Sequence, residues 1–164
     1  MTYVINDPVV GSQPINQTED VQKHPFGTIV TANSLVYGVG EFIYLKGVAS
    51  TVVGSAVIYN ADDFTTALLG ANAIGPVAVS MSINDAATKF GWYQISGKAI
   101  VRAGTVVDNA NVYATATGGV VDDAVVDGDM VHLAKFASAD GTPSAGLAEV
   151  EIHRPYNDDI TTND

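Results

Sequence analysis

FGWYQISGKAIVRAG, residues 90–104, decides how this chain is read. It holds the only tryptophan, Trp92, with Tyr93 beside it and glycines at 91, 97 and 104. Neighbouring residues on a strand point to opposite faces, so Trp92 and Tyr93 cannot serve one surface. A stacking platform presents several aromatics on one face with charges between them. Here Trp92 shares its face with Phe90 and Gln94, and Tyr93 shares with Ile95. The stretch therefore predicts two strands, 90–96 and 98–103, joined across Gly97. Gly91, Trp92 and Gly97 are its structural residues. Trp92 is expected in the core with its indole N–H bonded to a carbonyl.

Working outward, the same pattern of short β-rich runs and Gly-containing turns recurs. Runs at 40–47, 55–60, 76–84, 111–116, 129–137 and 145–155 read as strands, with a short one at 119–122. In PVAVSMSIN (76–84), Val77, Val79, Met81 and Ile83 alternate with Ala78, Ser80 and Ser82, predicting a half-buried strand. In AGLAEVEIHRP, Ala148, Val150 and Ile152 face inward while Glu149, Glu151 and His153 face water. One short helix is predicted in NADDFTTALLGAN, capped by Asp62 or Asp63 and ended by Gly70, with Phe64, Leu68 and Leu69 packed. About nine short strands and one short helix, without βαβ alternation, predict an all-β barrel or sandwich.

Three segments follow. Residues 31–156 form the β-domain and 157–164 a polar C-terminal tail. Residues 1–30 are broken by Pro, Gly and Asn yet carry apolar side chains, which predicts an extended N-terminal arm lying on a surface. Tyr3, Ile5, Val9 and Ile15 are its candidate capsid- or subunit-contact residues. That surface is either its own barrel or a neighbouring protein. GEFIYLKG and FGWYQIS are apolar on both faces, so they call for a second covering layer. The arm or a neighbouring subunit is expected to supply it.

Composition narrows function. The chain has 164 residues, 47% hydrophobic, rich in Val and Ala, with no cysteine. Disulfides and thiolate chemistry are excluded. The net charge is −11, concentrated after Gly104, where eleven acids face only Lys135 and Arg154. Such a surface repels phosphate, so nucleic acid is not an expected partner. No run approaches the roughly 18 apolar residues of a spanning helix, and the N-terminus lacks a basic leader. No membrane partner is expected.

No chemistry-bearing constellation emerges. His24, His132 and His153 are dispersed, and His153 beside Glu151 reads as a surface pair. DDAVVDGD (122–129) has Ala124, Val125 and Val126 where a calcium loop needs ligands, and reads as an Asp-Gly turn. There is no GxSxG elbow, and Ser144 has no His nearby in sequence. GVGEF and GTPSAG match neither a phosphate loop nor a dinucleotide fingerprint. No catalytic residue, metal or cofactor is expected, and the chain does not read as an enzyme.

From Phe90 the sequence also resembles the head decoration, or cement, proteins of tailed bacteriophages. The resemblance covers roughly residues 75–155. It rests on Gly91-Trp92-Tyr93-Gln94-Ile95 through Gly97 and Ala99, then Ala103, Gly104 and Val107. Val112, Tyr113, Ala114, Thr115, Ala116, Gly118, Val120 and Asp122 follow, and the closing strand ends in Arg154-Pro155. The resemblance implies a β-barrel, made in the bacterial host cytoplasm, that binds the outer surface of a capsid and reinforces joints between major capsid protein subunits. It also implies self-association, as a homotrimer or as a dimer across two-fold joints. Other particle roles (tail, fibre or head completion) and a carbohydrate-binding β module stay open at this point.

Overall fold

The computed structural model describes residues 4–5 and 14–160, with only the backbone of Ile5. It is all-β, with eleven strands and no helix among the described residues. In chain order they are β1 (Val4–Ile5), β2 (Ile29–Ser34), β3 (Gly38–Lys46), β4 (Ala56–Tyr59), β5 (Thr66–Leu68) and β6 (Gly75–Ser80). Then come β7 (Phe90–Arg102), β8 (Asn111–Ala114), β9 (Val121–Asp122), β10 (Met130–Phe136) and β11 (Leu147–Asn157). They form one antiparallel sheet in the order β1-β2-β3-β7-β6-β11-β10-β8-β9, with the β4–β5 hairpin hung on β6. The sheet folds on itself without closing. A lone parallel bridge, Ala103 to Val121, brings β9 back to the end of β7.

The largest departure from the sequence reading lies in the opening stretch. Residues 90–102 form one continuous strand, not a hairpin. Its first half pairs with β3 and β6, its second with β11. Gly97 is a bend within the strand, not a turn between two. A bulge beside it sets Glu41 opposite Ser96 and Phe42 opposite Gln94, so Ile95 is the extra residue. The fully buried Gln94 holds the bend, its Nε2 donating to the carbonyls of Ser96 (3.1 Å) and Lys98 (3.2 Å). Glycine is required at 97: φ is +96°, and a Cβ there would lie 2.5 Å from the Val39 carbonyl oxygen.

The predicted helix is also replaced. Asp63 does accept a backbone N–H as a cap does, but for a turn: its Oδ1 takes the Thr65 amide and hydroxyl. These bonds hold the Asp63 carboxyl below its ordinary range. Thr66–Leu68 then pairs with β4 even though Ala67 and Leu68 are good helix formers: the ladder to Val57, Ile58 and Tyr59 outweighs a local propensity worth only tenths of a kcal/mol per residue. The strand at 76–84 is shorter than predicted and is covered on both faces. Val77 to Ser82 are all buried, while Ile83 turns outward.

Three apolar clusters result. β3 and the first half of β7 separate two of them. Phe42, Tyr44 and Trp92 face one side with Ile15, Val30 and Met81; Ile43, Leu45, Tyr93 and Ile95 face the other with Val57 and Ala78. The third lies among the second half of β7, β8, β10 and β11, and contains the predicted inward trio Ala148, Val150 and Ile152. The covering layer for the two-sided strands therefore comes from this chain. Residues 14–28 close one side through Ile15 and Phe26; the β4–β5 hairpin closes the other. That strap is tied down by a Glu19–Phe90 bridge, by Thr18 Oγ1 donating to the Ile83 carbonyl, and by Lys89 paired with Asp20.

Candidate interaction surface

The side chains that stand out of this fold are at the turn between β2 and β3. The two strands pair in register from Ile29 opposite Ile43 to Ser34 opposite Gly38. Ser34 Oγ accepts the amides of Val36 (3.2 Å) and Tyr37 (3.3 Å), and Gly38 takes φ +75° to enter β3. This pinned turn directs Leu35 and Val36 into solvent. They are 106% and 76% exposed, and Leu35 is the most exposed large apolar side chain among the described residues. On the outward face of the sheet, Val4, Asn33 and Val39 lie in a row across β1, β2 and β3, with both valines more than 60% exposed. Residues 27–40 carry no ionisable side chain other than Tyr37, whose ring lies under the Lys98 ammonium at 5.9 Å.

A second surface, with uncharged walls, lies beside the β4–β5 hairpin. An open groove of about 350 Å³ is walled by Ile58, Tyr59, Ala67, Ile74 and Pro76, with Asn60, Thr65 and Thr66 as its polar contacts. Ile74 is 67% exposed on its wall. Burial pushes the Tyr59 hydroxyl above its ordinary pKa, against the opposing pull of Arg154, so the phenol is neutral at physiological pH. Asp62 and Asp63 stand in the hairpin loop at the rim.

The acidic half of the chain offers a different surface. In residues 122–129 the carboxylates serve backbone amides. Asp122 accepts from Ala124, Asp123 from Val107 and the buried Asp129 from Asn72. Gly128, at φ +84°, makes the Asp-Gly turn into β10. Val125 and Val126, both exposed, line a small pocket with His132, which meets Asp158 (3.3 Å) and stacks on Tyr156. No group of three metal-ligating side chains occurs among the described residues.

No family model and no curated protein matches the chain.

Of the sequence-predicted contact residues, Tyr3, Val9 and the Ile5 side chain lie outside the described residues. The Ile5 backbone pairs with Ala32, at the edge of the sheet. Ile15 is corrected: it is 1% exposed, buried in the aromatic cluster of its own chain, and has no surface left for a partner. Gly91 and Gly97 both lie in β7, and a Cβ on Gly91 would press on the Asn84 carboxamide. Trp92 is fully buried, as expected, packed edge-on to Tyr44 at 5.1 Å and beside His24 at 5.2 Å. Its indole nitrogen finds no protein acceptor, contrary to the expected carbonyl.

Sequence reasoning missed Leu35, Val36 and the groove. The signal at the tip was present: NSLVYG places two aliphatic residues where turns ordinarily carry polar ones. The groove had no local signal, because Tyr59 and Ile74 meet only through strand pairing.

Proposed function

We propose that this chain is a structural virion protein that binds the outer surface of a phage capsid and stabilises joints between major capsid protein subunits. The observation that carries the reading is an exposed, uncharged apolar sheet edge, Val4 and Val39 flanking Asn33, on a strongly acidic chain, joined to the sequence resemblance over residues 75–155. A joint between shell subunits is reinforced by burying apolar side chains across it and by adding strands to exposed edges. Each contact is weak, and the number of copies supplies the strength. The acidic surface favours the outside of the shell, away from packaged nucleic acid.

The test is a pair of particle reconstructions, from the phage that encodes this chain and from a deletion of its gene. The reading expects outer-surface density in the first that is missing from the second, and deleted particles that lose their nucleic acid at lower temperature. Density in the tail or inside the shell would refute it.

A further inference from the structure

The tip and the groove match one another in chemistry. We propose that the β2–β3 tip of one copy docks, through Leu35 and Val36, into the groove beside Tyr59 and Ile74 of a second copy of this chain. This rests on the decoration reading for its setting and adds how neighbouring copies would meet.

Charge selects the occupant. Each copy carries −11, so two copies repel unless they meet through surfaces free of acids. The tip is such a surface, and so are the groove walls Ile58, Tyr59, Ala67, Ile74 and Pro76. Asp62 and Asp63 at the rim meet no acid on the tip. A second exposed apolar pair, Val125 and Val126, stands among Asp122, Asp123 and Asp127, which would confront the acids of a second copy. Size also agrees. At about 350 Å³ the groove is at the lower end of ligand-sized clefts and suits two branched aliphatic side chains better than a folded element. The tip needs little ordering, because Ser34 already holds both turn amides, and preorganisation lowers the cost of docking.

The two patches differ: made reciprocally the contact gives a two-fold pair, and made once it is head-to-tail. Repetition closes the head-to-tail form into a ring or extends it into a chain of copies.

Sedimentation velocity of the free protein over a concentration series tests this. The parent chain should associate as concentration rises. Leu35→Asp and Ile74→Asp should each weaken association by at least about tenfold. Both positions are exposed, so each variant should keep the parent's melting temperature. A mixture of the two variants should regain association but stop at pairs, since one copy has only a working groove and the other only a working tip. A parent chain that stays monomeric, or variants that associate as the parent does, would overturn the proposal. A monomeric parent whose Leu35→Asp variant no longer binds particles would assign the tip to the shell instead, refuting the self-docking while leaving the decoration reading intact.

Discussion

Gly97→Ala measures whether the centre of this fold is a bend in one strand or a turn between two. An alanine at φ +96° costs about 1–2 kcal/mol in backbone strain. The added Cβ then lies 2.5 Å from the Val39 carbonyl oxygen and 3.1 Å from the Gly40 Cα, where ordinary contact starts at 3.4 Å. β3 and β7 must part by nearly an ångström along a ladder that separates two buried clusters. Overpacking of that kind costs roughly 1–3 kcal/mol. The total is about 2–5 kcal/mol, or roughly 4–20 °C in melting temperature for a domain of this size. Gly38→Ala is the internal control. Its φ is +75° but nothing lies within 4 Å of the new Cβ, so only the strain of about 1–2 kcal/mol applies. Urea unfolding followed by the fluorescence of Trp92 reads both variants. If Gly97→Ala costs no more than Gly38→Ala, the close approach of β3 to the bend is wrong.

Trp92→Ala should cost about 3–5 kcal/mol by calorimetry or urea titration, because the ring is fully buried among Tyr44, His24 and Met81. Deleting residues 1–27 removes Ile15 and Phe26 from the same cluster and should cost roughly 3–6 kcal/mol; a truncated chain as stable as the whole would contradict the strap. Burial pushes the Tyr93 hydroxyl up to about 12, so above pH 10 the unfolded chain loses a proton that the folded chain keeps. Stability should therefore fall between pH 10 and 12, by about 3 kcal/mol in all, and Tyr93→Phe should flatten the fall. Burial lowers the pKa of His24 against the opposing pull of Glu19, so below pH 6.5 the unfolded chain takes up a proton that the folded chain resists. Unfolding should become easier as pH drops through that range, and His24→Gln should remove the dependence at that step.

Much of the β architecture was legible because its signals are local. The alternation of Ala148, Val150 and Ile152 with Glu149, Glu151 and His153 reports one buried face without reference to any partner. Gly97 was not legible, because a glycine at positive φ serves a turn and a bulge equally. The choice was made by β3 and β11, each about fifty residues away. Asp63 misled for a related reason: an Asx turn and a helix N-cap use the same side-chain bond. The strand at 76–84 read as half-buried because Ala and Ser on its second face look solvent-facing, yet Ala78 packs with Leu45, Val57 and Tyr93, and Ser80 satisfies its hydroxyl on the Ser82 carbonyl. The tip at Leu35 broke a local rule of turn composition, and such a break is where a function beyond folding leaves its trace.

The shared strand β7 also sets a timetable. Its first half meets β3, already synthesised, but Ala99 to Arg102 await Leu147 to Val150, some 45 residues downstream. At translation speeds of about 5–20 residues per second, that half-strand stays unpaired for roughly 2–9 seconds. An apolar edge left open that long recruits other nascent chains. Lys98 and Arg102 bracket Ala99, Ile100 and Val101, and they are two of only seven basic residues in the chain. Their charges act as gatekeepers during the wait, keeping the edge from stacking on its like until β11 arrives.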